Sequence, residues 1–205
     1  MASKRMPAAA RREQLLDLAL DIVSVEGFPA LTIERLAQAA GLTRTAIYHQ
    51  FGSHDAMIDA LVERESRRAL LAQSAITVPE SMTGADVVAY IVATMLDIAA
   101  AAASTWQVLL NPPEGGPTEL HARIAAGRAN ARAMLDAILR ERVYPQAGLP
   151  DDPELTTHLL HTLGEELTRL HLRDPAQYPK DRLVRQAASF ARTISHTKER
   201  SPWPT

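Results

Sequence analysis

A chain of 205 residues is long enough to bury a core without disulfides or metals, and its 46% apolar and 22% charged residues exclude wholesale disorder. With no cysteine, disulfide frameworks, thiolate zinc sites, iron–sulfur clusters and cysteine nucleophiles are all excluded. The net charge of −2 suggests no anionic partner at first sight, and 4% aromatic residues argue against a stacking platform for single-stranded nucleic acid.

The basic start, Met1 to Arg12, leads into a helix interrupted by charge at Asp17, which is no signal-peptide apolar region. The apolar stretch around Ile98–Ala103 is far short of the roughly 20 residues a membrane span needs. The expectation is a soluble, cytoplasmic protein without membrane attachment. Helical periodicity runs throughout, and strand signals are absent. Leu15, Leu18, Ala19, Ile22 and Val23 form the apolar stripe of a first helix, ended at Glu26-Gly27. Thr32 caps a short second helix carrying Ile33, Leu36, Ala37 and Ala40, which Gly41 stops. Thr43 caps a third with Ala46, Ile47 and Phe51, and Ser53 caps a fourth that extends to about Leu71. After a break at Thr77–Thr83, an Ala-rich helix is expected over 84–109. The loop Asn111–Pro117 follows, then a long amphipathic helix over 118–143. Pro145 to Pro150 ends it, Asp152-Pro153 opens a helix running to Arg173, and a last helix spans 181–197 before a frayed Ser201-Pro-Trp-Pro tail. The fold class is therefore all-α: a three-helix helix-turn-helix domain joined to a larger helical bundle, about nine helices in total.

The informative segment is Leu31–Phe51. Ala37 stands where a second helix must approach closely. Gly41, four residues on, can take a positive φ, and Ile47, six further on, faces back into the same small core. The other side of the third helix is polar: Thr43, Arg44, Thr45, Tyr48, His49 and Gln50, with one arginine and no acid. A helix of this size and chemistry fits the major groove, whose base edges offer acceptors and thymine methyls. A plain helical hairpin with a solvated face would share the glycine but not the joint Ala37, Gly41, Ile47 spacing.

Glu26-Gly27-Phe28, Leu31-Thr32-Ile33, Leu36-Ala37, Ala40-Gly41-Leu42-Thr43, Ile47-Tyr48-His49-Gln50-Phe51 and Ser53 together resemble the DNA-binding domain of the tetracycline-repressor (TetR) family, from about Arg11 to Val62. The resemblance implies a homodimeric transcriptional regulator, a repressor, that binds a palindromic double-stranded operator and is released or modulated by a small-molecule effector. It implies a DNA-binding domain over residues 1–66 and a ligand-binding and dimerisation domain over 67–205. By this likeness Arg44, Thr45 and His49 reach base edges, with Arg44 bidentate to guanine. Thr43, Tyr48 and Gln50 contact phosphate, as does the amide end of the second helix at Thr32 and Ile33. The family usually has a lysine just inside the fourth helix, contacting phosphate. Here His54 stands there, which weakens that contact or makes it pH-sensitive, unless the helix N-terminus alone holds the phosphate. Arg11 and Arg12, opening the first helix, are assigned to DNA, whereas Lys4 and Arg5 are assigned to a solvated terminus.

In the second half, Tyr90, Met95, Trp106, Met134 and Leu163 are candidate ligand-lining residues, although core packing is the ordinary role of such side chains. His158, His161 and Glu165, with His171 further along, lack a third ligand of clear spacing, so no metal or other cofactor is expected. No nucleophile–base pair, Gly-rich phosphate loop or paired carboxylate supports an enzyme. Leu155, Leu159, Leu163, Leu167 and Leu170, then Leu183, Ala187, Phe190 and Ile194, suit a four-helix dimer bundle or packing within one chain. Two other readings stay open: an enzyme or ligand carrier with an incidental hairpin, and a sequence-indifferent DNA-binding protein. The charge distribution removes the first objection to DNA. Residues 1–68 carry nine Lys/Arg and nine Asp/Glu, and residues 1–12 carry four positive charges and no acid. The burden of recognition falls on a few contacts around Arg44, Tyr48 and His49.

Overall fold

The computed structural model describes residues 7–112 and 118–196. Lys4 and Arg5, most of the Asn111–Pro117 loop, the side chain of Ile194 and the Ser201–Pro204 tail lie outside the described residues. Every regular element among them is helical: α1 (Ala8–Glu26), a 3-10 turn (Phe28–Ala30), α2 (Ile33–Ala40), α3 (Arg44–Phe51), α4 (His54–Ser74), α5 (Ala85–Ala101), α6 (Ala103–Leu110), α7 (Thr118–Arg142), α8 (Tyr144–Ala147), α9 (Pro153–Arg173) and α10 (Lys180–His196). The chain divides into two compact units. The described residues of the first fall within Met1–Ala69 and Ala103–Ala126, and those of the second within Leu70–Ala102 and Gly127–Thr205.

The first unit is built around one core. Leu15, Leu16, Ala19, Ile22 and Val23 of α1 meet Leu36 and Ala37 of α2, Ile47 and Phe51 of α3, and Met57, Leu61 and Val62 of α4. Val108 of α6 and Leu120 and Ile124 of α7 belong to the same core, a contribution the sequence pattern had not assigned to the N-terminal helices. The second unit holds two smaller clusters. One joins Val87 and Val88 of α5 with Leu139 of α7, Val143, Tyr144 of α8 and Ala191 of α10. The other joins Leu96 of α5, Leu167 of α9, and Leu183 and Ala187 of α10.

Two elements differ from the sequence expectation. The helix expected over 84–109 is two helices, α5 and α6, broken at Ala102. Local propensity would carry an alanine run straight through. The break instead serves packing, since α5 buries Val87, Val88 and Leu96 in the second unit's clusters while Val108 of α6 is buried in the first unit's core. The segment after Arg142 is not a plain terminator: α8 forms one helical turn with Pro145 near its start, where the missing N–H costs nothing. Among the described residues, no single helix is long and apolar enough to cross a membrane.

Candidate nucleic-acid interface

The turn between α2 and α3 follows from its backbone hydrogen bonds. Gly41 has φ 63° and ψ 34°, the left-handed conformation that a β-carbon disfavours. Its N–H donates to the Gln38 carbonyl at 3.2 Å, and the Leu42 N–H donates to the Ala37 carbonyl at 2.9 Å. These two bonds make a Schellman motif, and Leu42 packs back onto the core to complete it. Both helices start with a threonine cap: Thr32 Oγ1 accepts from the Arg35 amide at 3.0 Å and Thr43 Oγ1 from the Ala46 amide at 3.3 Å.

The turn fixes which side of α3 faces outward. Ile47 is completely buried and Phe51 nearly so, while Thr43, Arg44, Thr45, Tyr48 and His49 are all exposed. The structure thus gathers five of the expected contact residues on one outward face. Gln50 is half-buried, and Ile33 is a core residue, so only its backbone amide is placed to meet a phosphate. Thr32 is exposed at the start of α2, where the first amides of a helix lack intrahelical acceptors.

Arg12 and His54 are both tied to the protein's own backbone. Arg12 stacks its guanidinium 4.7 Å from the centre of the Phe51 ring and donates to the Gln50 carbonyl at 2.9 Å. A cation at the last turn of α3 suits the helix dipole, so Arg12 helps to hold the end of that helix in place. His54 approaches the Leu31 carbonyl through Nε2 at 2.7 Å, and its Nδ1 lies 3.4 Å from Asp55. Since a carbonyl only accepts, Nε2 carries the hydrogen, and the ring links the start of α4 to the segment before α2. Arg11 has a buried Nε without a partner among the described residues.

Two contacts had no sequence signal. Arg35 holds Glu26 through two hydrogen bonds of 2.6 and 3.3 Å, joining α2 to the end of α1 and holding the Glu26 carboxyl below its usual pKa range. Glu34, in the first turn of α2, stands 4.0 Å from Arg44 with both side chains well exposed, at 79% and 63%. A surface pair of this kind contributes at most about 1 kcal/mol. Its carboxylate adjoins the first amides of α2. Glu34→Gln is therefore expected to tighten duplex binding about three- to tenfold and free Arg44 from its neighbour. Fluorescence anisotropy over a salt series would measure it, and unchanged affinity would place Glu34 away from the DNA.

The candidate ligand-lining residues fall in both units. Trp106 is buried in α6, within the first unit, whereas Tyr90, Met95, Met134 and Leu163 are half-buried in the second. Leu163 packs against the cluster of Leu96, Leu167, Leu183 and Ala187. His158 is exposed and His161 half-buried. Among the described residues no three His, Asp or Glu groups are placed to hold a metal.

Residues 15–61 match the family model for bacterial regulatory proteins of the tetR family. Over 60 residues the chain is 42% identical to the HTH-type transcriptional repressor Rv1474c of Mycobacterium tuberculosis, covering 29% of this chain and 32% of that protein. Over 52 residues it is 36% identical to the HTH-type transcriptional repressor KstR2 of Rhodococcus jostii, covering 25% of this chain and 26% of that one. The matched segment thus spans a third or less of either relative. A solved TetR-like transcriptional regulator from Rhodococcus sp. RHA1 superposes with a TM-score of 0.72 at 20% identity, covering 94% of this chain and all of that one. That last likeness is one of fold.

Proposed function

We propose that this chain, a member of the tetR family through its residues 15–61, is a transcriptional repressor that binds a palindromic operator as a homodimer and is released by a small-molecule effector. The observation that carries the reading is the two-sided α3. Ile47 and Phe51 are sunk in the core, and Thr43, Arg44, Thr45, Tyr48 and His49 are left outward on a helix of major-groove size. Within this reading residues 1–66 bind DNA and residues 67–205 bind the effector and the second subunit, in a cytoplasmic protein with no catalytic role. Thr45, His49 and Arg44 read bases, and Thr43, Tyr48 and Gln50 meet phosphate, with the amides at Thr32 and Ile33. Arg11, Arg12 and His54 are assigned to the same DNA contact surface. The ligand would lie against some of Tyr90, Met95, Met134 and Leu163, with Trp106 on the helix that responds.

A ligand can shift the DNA-binding equilibrium only by its differential affinity for the two states. The test compares binding to the gene's own upstream DNA with binding to random duplex of equal length. Equal affinity for both would leave a sequence-indifferent DNA-binding protein, and no binding to either would leave an incidental hairpin.

The dimer reading draws on α9 and α10. Of the apolar stripe on α9, Leu167 is buried and Leu163 and Leu170 are half-buried, but Leu155 and Leu159 are 52% and 56% exposed. Phe190 on α10 is 44% exposed. Large apolar side chains left out on two neighbouring C-terminal helices suit a four-helix interface between two chains. Leu159→Glu is expected to reduce the sedimenting mass to that of one chain and to abolish half-site cooperativity. A dimer that persists in both Leu159→Glu and Phe190→Glu would move the interface elsewhere.

A further inference from the structure

The second unit contains a charged cluster that DNA binding does not use. On α9, Glu165 accepts from Arg128 of α7 at 2.8 Å through Oε1 and from Arg169 at 3.3 Å through Oε2, so both of its oxygens are engaged. Arg169 also donates to Glu166 at 2.9 Å. One turn beyond Arg128, the half-buried Arg132 has no hydrogen bond or ion pair among the described residues, and neither has half-buried His161. His161 feels the charges of Glu165, Arg132, Arg128 and exposed His158. Three arginines stand against two glutamates, leaving one positive charge uncompensated. The Arg132 guanidinium, half-buried as a side chain, thus has its donors available to an anion.

Two glycines flank the cluster with their helix backbone left uncovered. Gly127 precedes Arg128, and Gly164 precedes Glu165. A β-carbon at either would meet nothing within 4 Å. Glycine inside a helix costs about 0.5–1 kcal/mol relative to alanine. Among the described residues no close packing accounts for it at these two positions. Leu135 on α7 and Leu160 on α9, both half-buried, supply apolar surface next to Arg132 and His161.

We propose that Arg132 and His161, across α7 and α9 beside Gly127 and Gly164, bind the carboxylate head of a small apolar acid. The Arg132 fork matches a carboxylate in two-point fashion, and the single uncompensated charge matches a monoanion. The apolar body occupies the room beside the glycines against Leu135 and Leu160. This deepens the effector reading above by naming a ligand class. Burial lowers the His161 pKa below 6.5, with Arg132, Arg128 and His158 acting in the same direction and Glu165 opposing them. A bound anion reverses that balance and draws a proton onto the ring. Affinity for the acid therefore rises as pH falls through the His161 titration.

The test uses the full chain without DNA, with benzoate, benzamide and inorganic phosphate as probes and the His161 ring resonance as readout, assigned by His161→Gln. Benzoate is expected to saturate and to raise the His161 midpoint by about one pH unit, equivalent to tenfold tighter binding to the protonated form. Benzamide and phosphate are expected to bind at least tenfold more weakly. Arg132→Gln should lose about 10- to 100-fold in benzoate affinity. Arg132→Lys, keeping charge but not the fork, should fall between, and exposed Arg185→Gln should match the parent. The proposal is overturned if benzamide or phosphate binds as well as benzoate, if Arg132→Gln retains affinity, or if the His161 midpoint does not move. A separate titration of the operator complex with benzoate judges the effector reading: binding without DNA release would keep the site and sink the regulation.

Discussion

Arg44→Ala is expected to remove most of the preference for operator over random duplex while leaving affinity for random duplex almost intact. The side chain stands on the outward face of α3 at 63% exposure, with Glu34 4.0 Å away. A bidentate arginine–guanine pair is worth about 1–3 kcal/mol of discrimination. In the proposed homodimer, two copies of α3 acting on two half-sites would double that, so operator affinity should fall by about 30-fold to 20,000-fold. Base reading and phosphate attraction separate in the salt dependence. Loss of a base contact lowers the intercept of affinity against salt on the operator and leaves the slope nearly as it was, whereas loss of a phosphate contact lowers the slope on every sequence. Anisotropy titrations of both duplexes at several salt concentrations give both quantities. If operator and random duplex lose affinity equally, Arg44 is a phosphate contact and base selection rests on Thr45 and His49.

The N-terminal unit was legible because its rules are local. Threonine caps at Thr32 and Thr43, a left-handed residue at Gly41 and the buried positions Ala37 and Ile47 all lie within sixteen positions, and each acts over one helical turn. The roles of Arg12 and His54 were not legible. Their partners, the Gln50 and Leu31 carbonyls, lie 38 and 23 residues away, and a backbone acceptor leaves no mark on side-chain identity. A basic residue opening a helix reads the same whether it meets phosphate or holds the end of another helix in place. The break at Ala102 escaped for the opposite reason. Local propensity there favours continuation, and only the division of buried side chains between two cores interrupts it.

The largest stability effect is expected from a carboxylate on the buried stripe of α4, in line with Ile58, Leu61, Val62 and Ala69. Glu65 has no exposure at all. Its Oε1 accepts from Arg64 Nε at 2.7 Å and from Arg68 at 3.2 Å, and its Oε2 accepts the Thr105 hydroxyl of α6. Arg64, 6% exposed, also donates to the Glu13 carbonyl and to Asp17 on α1, at 3.2 and 2.7 Å. Burial works against the Arg64 charge, but Glu65 and Asp17 more than offset it and hold the guanidinium firmly protonated. Glu65→Ala leaves that buried cation and the Thr105 hydroxyl without their main acceptor, and a broken buried pair costs about 3–5 kcal/mol. Against a typical total of about 5–15 kcal/mol, this removes a large share of the first unit's stability. Urea unfolding followed by Trp106 fluorescence, in a background where Trp203 is phenylalanine, measures it. Glu63→Ala is the control: its pair with Arg67 is exposed, at 47% and 65%, and should cost no more than about 1 kcal/mol. The double change Arg64→Met with Glu65→Leu should recover most of the loss, because it removes both desolvated charges together and leaves Asp17 and Glu13 in solvent. Additive losses in the double variant would mean that the two side chains act through packing alone. Recovery would establish that α1, α4 and α6 are held in register by a buried charge pair whose failure loosens the same core that aims α3.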